Sequence, residues 1–238
     1  MKKVALIRVG VDSGSGGIQG PLFSDGTFEY IPIPDGFSVD SRTYGNTVGR
    51  RGHPLVEYFP ASRRHSMKNQ SIHFDPEFET CTYGDPTSPK AGLKRLEGGD
   101  LLVFYCGLQG WDFSSPAELF IMGFFLVEAA GRVGNFSGEE LRNLFGENFH
   151  VRHPKIFESQ KKDLVLVKGS QESRLFDRAV PISSIGKDSR GRSIKILSPK
   201  MRDIFGDFNG HLSIQRSPPR WVLPQFSNKA ADFILSLQ

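Results

Sequence analysis

Two apolar runs dominate the pattern of hydrophobic and polar positions along this chain: Asp100–Gly107 and Leu119–Glu128. Neither alternates between apolar and polar residues, so both predict strands buried on two faces. Lys3–Val9 and Asp163–Lys168 have the same character and predict two more buried strands. A hairpin is predicted from Pro21 to Pro32 around the turn Ser24-Asp25-Gly26, with short strands near Leu55–Phe59, Ser71–Phe74 and Val180–Ser183. The clearest helix opens at Ser137, which forms a capping box with Glu140, and closes on Gly146, read as its C′ glycine. Leu141, Leu144 and Phe145 give that helix one apolar face. Gly92–Leu96 predicts one helical turn, Gly169–Phe176 a turn or short helix, Ser198–Phe205 a helix, and Lys229–Leu237 a terminal amphipathic helix. Residues 41–70 lack a sustained period beyond the strand near Leu55, which marks a long functional loop or mobile arm. There is no internal repeat or low-complexity linker, so residues 1–238 read as a single α+β domain with a mixed, mainly antiparallel sheet and flanking helices.

Composition narrows this picture. Apolar residues at 38% and 20 Phe predict a core rich in rings, while 26 Gly and 15 Pro argue against a mostly helical protein. The two cysteines, Cys81 and Cys106, make no Cys-x-x-Cys, and neither a secretory leader nor an apolar stretch of about 18 residues is found. These features predict a cytoplasmic protein with reduced thiols and no membrane contact. The net charge of +4 is a weak pointer to polyanions, but its distribution says more. Arg42, Arg50, Arg51, Arg63, Arg64 and Lys68 face a single acid, Glu57, in their segment, with Tyr44, His53, Tyr58, Phe59 and His65 among them. Cations interleaved with aromatics suit a nucleic-acid backbone and its bases; a solvated loop is the equal alternative.

Candidate chemistry gathers in loops. Gly10–Gly20 follows the first strand but has Gln19 where a dinucleotide fingerprint needs glycine, and no Gly-Lys-Ser/Thr closes it as a P-loop. The loop offers Arg8, Asp12, Ser13, Ser15 and Gln19 either to a ligand or, through an Asx-turn at Asp12, only to its own backbone. His73-Phe-Asp75 has the spacing that begins a two-histidine, one-carboxylate metal site, with a distal residue such as His153 to complete it. A strand-end histidine before an Asp-Pro turn explains the same residues, and no metal or cofactor is assigned. No Gly-x-Ser-x-Gly elbow occurs; Cys106 sits inside an apolar strand, and Cys81 is the more exposed thiol. Lys168, Ser170, Ser173 and Arg174 bring hydroxyls and cations to one strand end, a cluster that suits a phosphate or an extruded base.

Two resemblances add to this reading. Gly98-Gly-Asp-Leu-Leu-Val-Phe-Tyr105, followed by Leu119–Glu128 with Gly123 inside it, resembles the core of PUA-like domains of the EVE and YTH branches. That resemblance implies a strongly curved sheet or small barrel and makes Tyr105 and Trp111 candidate cage residues for a modified base. Ile7-Arg-Val-Gly-Val-Asp12 and Gly17-Ile-Gln-Gly-Pro-Leu-Phe23, with Gly49–Pro54, His73–Phe78, Tyr83-Gly-Asp85 and Ser173–Phe176, resemble the third family of nucleotide modification associated domains. The implied role is making or recognising a modified base, with a nucleotide or nucleic acid as partner (DNA before RNA) and other base-modification enzymes alongside. Asp12, Asp75 and Arg8 become the candidate catalytic groups, with His53, Tyr83 and Lys168 among the binding residues. A non-catalytic reader or a scaffold subunit stands as the alternative.

Overall fold

The computed structural model describes residues 2–12, 14–112, 115–215 and 218–237. Its strands are β1 (Val4–Arg8), β2 (Gly20–Leu22), β3 (Ile33–Pro34), β4 (Ile72–His73), β5 (Thr82–Asp85), β6 (Leu101–Gly110), β7 (Glu118–Arg132), β8 (Val165–Gly169), β9 (Arg174–Pro181), β10 (Ser183–Lys187), β11 (Ser193–Leu197) and β12 (Arg220–Trp221). Its α-helices are α1 (Ala61–Met67), α2 (Gly138–Phe145), α3 (Phe149–Arg152), α4 (Pro154–Gln160), α5 (Pro199–Phe205) and α6 (Pro224–Ser236).

The main sheet runs β12-β1-β6-β7-β8-β5, with β2 also paired to β6 and β9 to β7. β1 and β2 lie parallel to β6, and the other pairs in this sheet are antiparallel. Both faces of the central strands are covered, which is why their sequences do not alternate. Val4, Leu6, Leu101, Val103 and Tyr105 enter a core shared with α5 and α6. Ala5, Ile7, Leu102, Phe104 and Cys106 enter a second core on the opposite face, closed by Leu93 and Leu96. Along β7 the parity changes partway: Phe104 pairs with Gly123 but Tyr105 with Ile121, so Met122 is an extra residue. The bulge puts Ile121 and Phe124, three apart, into the same core.

The two long strands are antiparallel neighbours as expected, and each extends beyond its apolar run. The barrel implied by the PUA-like resemblance is not found: among the described residues the sheet stays open. β7 explains why. Its first half lies between β6 and β9 and its second half pairs with β8, so the sheet branches at that strand.

Several local expectations change. Leu55–Tyr58 is a 3₁₀ turn rather than a strand, and residues 41–70 are not a loose arm. Pro54 and Pro60 sit at the starts of that turn and of α1, where a missing N–H costs nothing. Tyr44, Leu55, Tyr58, Phe59 and Met67 then build a third core with Val11, Ile18 and Ile31. Of the turn or short helix expected over Gly169–Phe176, the turn is found, and strand β9 starts at Arg174. Ser137 and Glu140 form the predicted capping box, and Phe145 packs against Leu164 and Leu166. Gly146, however, is right-handed (φ −55°), because the chain continues directly to Asn148, the cap of α3. No helix among the described residues is long and apolar enough to cross a membrane.

Candidate functional site

A cavity of about 430 Å³ opens between the 42–55 segment, the 74–80 segment and the start of β9, within the size range of small-molecule sites. Tyr30, Phe74 and Phe78 supply aromatic wall; Arg42, Arg50, Arg152, Glu29 and Glu77 supply charge. Glu29 is buried, and one of its carboxylate oxygens has no hydrogen-bond partner. Burial pushes its carboxyl above the usual carboxylate range, against the opposing pull of the Arg50 amide and guanidinium, the Arg51 amide and the Tyr58 hydroxyl. The loop over it can come this close only because residue 49 is glycine: a Cβ there would lie 2.4 Å from the Glu29 oxygen. Arg50 is anchored at the rim by the Phe176 carbonyl (2.7 Å) and Asp177 (2.6 Å).

A four-charge network braces the opposite wall. Arg42 donates to Asp40 (2.9 Å) and Glu77 (3.0 Å), and Arg152 of α3 pairs with the same two carboxylates. Both carboxylates are buried and both guanidiniums are partly exposed, so the arginines form the wet edge of the network. Arg42 also lies 4.9 Å over the Phe74 ring.

Behind this wall His73, Asp75 and His150 converge, with one ligand-type atom from each within 4.8 Å of the others. His73 is 9% exposed and His150 4%. The Asp75 Oδ2 is 3.6 Å from His150 Nε2, while its Oδ1 accepts the Gly84 amide (2.9 Å). His150 Nδ1 lies 2.6 Å from the Gln160 amide oxygen. Burial raises the Asp75 carboxyl to about 6 and holds His73 well below the usual imidazole range. For His150, burial pulls the value down, but Asp75, together with the Gln160 hydrogen bond and the Asp85 charge, outweighs it and the net direction is up. Gly84 is again an obligatory close approach, since a Cβ there would sit 2.7 Å from the His150 ring.

The predicted site residues do not gather in one place. Asp75 belongs to the histidine cluster. Arg8 and Asp12 pair with each other at 3.5 Å beyond β1, and Arg8 also donates to the Gln215 carbonyl. Asp12 accepts the amides of Gly14 and Ser15 (2.7 and 2.8 Å), the Asx-turn arrangement. Gln19 packs against Gly107 in the same region; Ser13 lies outside the described residues. Lys168 donates to the Thr80 carbonyl and lines a second cavity of about 650 Å³ with Cys81, Ser170 and Ser173. Arg174 does not join them, but reaches the Leu235 carbonyl across the Phe124 ring. Burial raises the thiols of Cys81 and Cys106, the latter to about 12.

The aromatic candidates also separate. Tyr105 is 1% exposed and donates to the Ile214 carbonyl (2.8 Å), so it is a core residue rather than a cage wall. Tyr83 is buried, with its hydroxyl on Asp85 (3.0 Å). Trp111 is 37% exposed and packs against Phe23 and Tyr58.

In the basic segment, Arg51 pairs with Asp25 and stacks 3.8 Å over Phe23. Arg63 lies against Gly17, and Arg64 donates to the carbonyls of Phe59 and Glu57. Lys68 is exposed, and His53 pairs with Glu57 on the surface. Most of these cations are thus committed to internal contacts. Glu29, Arg152 and His150 were not among the candidate site residues, and Glu77 was included only as part of the His73–Phe78 segment. For Glu29 a signal existed: a lone acid inside Phe28-Glu-Tyr-Ile31.

Fold and cavity together define an α+β protein with a branched mixed sheet and a ring-walled, charged pocket of ligand size. Over residues 3–235 the chain matches the family described as nucleotide modification associated domain 3, and it belongs to that family. No curated protein and no solved structure matches it. The resemblance read from the Ile7–Phe23 and His73–Phe78 segments is therefore shown across nearly the whole chain.

Proposed function

We propose that the chain binds a nucleotide, free or within a DNA strand, with the base in the 430 Å³ pocket, as part of making or recognising a modified base. The observation that carries this reading is Glu29, a carboxylate buried in the pocket wall among aromatic rings, with one oxygen short of a full hydrogen bond and the Tyr58 hydroxyl as its side-chain neighbour. A carboxylate there accepts hydrogen bonds from a base amino or imino edge, and in its protonated form donates one to a ring nitrogen or carbonyl. Rings such as Tyr30, Phe74 and Phe78 suit the base faces, and Arg50 at the rim suits a phosphate that takes the place of the exposed Asp177 carboxylate. Other base-modification enzymes are the partners this reading expects.

The test is calorimetric titration of the purified chain with deoxynucleoside monophosphates and with short single-stranded DNA. Selective binding of one base class is expected. Glu29→Gln should alter which base is preferred, and Arg50→Ala should weaken all nucleotides and flatten the salt dependence. Binding that ignores both substitutions, or none at low salt, would remove the reading. Mass spectrometry of the bound nucleotide after incubation separates the two forms of the proposal, a changed mass marking an enzyme and an unchanged one a reader.

A further inference from the structure

We propose that His73, Asp75 and His150 form the binding site for one divalent transition-metal ion, held by two imidazole nitrogens and one carboxylate oxygen. The first argument is what these atoms lack. The Nε2 atoms of both histidines are buried and have no hydrogen-bond partner. Two unpaired imidazole nitrogens in one interior cluster are a costly arrangement unless something satisfies them.

The second argument is the tautomer. The Gln160 oxygen faces His150 Nδ1 at 2.6 Å, so that nitrogen carries the proton and donates it. In the neutral ring the Nε2 lone pair then points at the Asp75 Oδ2, itself a lone-pair atom, 3.6 Å away. Lone pair facing carboxylate is repulsive, and a cation between them reverses the sign. A second proton on His150 would also resolve that contact, but it would leave the His73 Nε2 unpaired. A metal ion satisfies all three atoms at once.

The surroundings match what ligand sets need. Ligating histidines donate their other N–H to a neighbouring oxygen, and ligating carboxylates are themselves hydrogen-bonded. Gln160 does the first for His150, and the Gly84 amide does the second for Asp75. Two imidazoles with one carboxylate select first-row transition ions; calcium and magnesium prefer all-oxygen shells. The donor atoms, within 4.8 Å of one another, must draw in onto bonds of about 2.0–2.2 Å, a matter of modest side-chain rotation.

The position indicates what the ion would do. His73 and Asp75 alternate with Phe74 and Pro76, which line the nucleotide-sized pocket, while the cluster residues do not line it. The ion would thus lie behind the wall and tie the 73–77 segment to α3, which carries Arg152. It would hold the pocket in shape, and it needs no nucleotide to be detected.

The experiment is titration of the chelator-treated full chain with Co²⁺ alone, followed by visible absorption and calorimetry, and by thermal melts with Zn²⁺. One ion per chain is expected, with cobalt ligand-field bands and a raised melting temperature. Asp75→Asn, which keeps shape, should abolish both, and His150→Ala should do the same. Gln160→Ala should weaken affinity about 10–100-fold, while His153→Ala should leave it unchanged. No stoichiometric binding by the folded wild-type chain would overturn the proposal, as would binding that survives Asp75→Asn or is lost in His153→Ala. Because the wild-type measurement uses no variant, a misfolded mutant cannot hide the answer. Failure of metal binding would leave the nucleotide titrations intact, and failure of nucleotide binding would leave the metal titration intact.

Discussion

Arg152→Met is the substitution that most directly tests how the pocket wall is held. In the native chain Asp40 and Glu77, both buried, share two guanidiniums, and Arg152 is the one contributed by α3. Removing it leaves two buried carboxylates with Arg42 alone. Stripping one partner from a buried ion pair costs about 3–5 kcal/mol, chiefly because the remaining charge stays desolvated. Arg42 and Arg152 reach solvent, so the lower end applies and about 3 kcal/mol is expected. For a chain of this size each kcal/mol moves the melting temperature by about 2–4 °C, so the midpoint should fall by about 6–12 °C. Urea unfolding monitored by tryptophan fluorescence gives the free energy directly. The decisive comparison is the double mutant Arg152→Met with Glu77→Gln. If orphaned charge is the cause, removing the second carboxylate recovers part of the loss, and the cycle gives a coupling energy well above 0.5 kcal/mol. A single-mutant loss under about 1 kcal/mol, or strict additivity in the cycle, would refute the reasoning.

Other expectations follow from groups whose partners are explicit. Burial raises the Glu29 carboxyl in the folded chain, so the folded state holds that proton more tightly than the unfolded state. Its contribution to stability is therefore complete below the ordinary carboxyl range and is lost as pH rises through the folded value. Glu29→Gln should match wild type at low pH and gain on it above that window in urea midpoints; a pH-independent difference would refute this. Tyr105→Phe leaves the buried Ile214 carbonyl unpaired and should cost about 1–3 kcal/mol by denaturant unfolding. Ser137→Ala removes the acceptor for the Glu140 amide and should cost about 1 kcal/mol, mostly recovered in Ser137→Asp.

What could be read from the sequence was what is encoded locally. The capping box at Ser137 needs only residues three apart, and an unbroken apolar run needs only burial on both faces. The bulge at Met122 was hidden because it is a property of pairing: nothing in Phe-Ile-Met-Gly-Phe-Phe says that one residue will be left over. The same limit separates His150 from His153. Both follow the same strand in sequence, but Asn148 caps α3 through the His150 amide and sets the phase of that short helix. His150 is thereby turned inward beside Asp75, while His153 falls at the helix end against Phe149 and Arg152. The spacing of His73 and Asp75 was legible, but the histidine that the fold brings beside them is His150 and not His153. The basic segment shows a related limit. Sequence reveals the charge of its arginines but not the carboxylates and carbonyls that hold several of them, such as Asp25 at Arg51 and the Phe59 and Glu57 carbonyls at Arg64.

The short stretch from Ile72 to Phe78 joins the two proposals physically. His73 and Asp75 serve the histidine cluster, while Phe74, Pro76, Glu77 and Phe78 serve the pocket. One backbone therefore carries both, and any ordering of one set of side chains orders the other. Linkage makes this quantitative: if an ion at the cluster tightens nucleotide binding by some factor, a nucleotide must tighten ion binding by the same factor. Cobalt titrations with and without saturating nucleotide should show that factor in both directions, because Arg152 and His150 share α3 as well. Independent affinities would mean that this wall is rigid without the ion, held by the Asp40–Arg42–Glu77–Arg152 network alone. In that case the loss predicted for Arg152→Met should be the same with and without metal. If the ion shares the load, the loss should be smaller in the metal-bound chain.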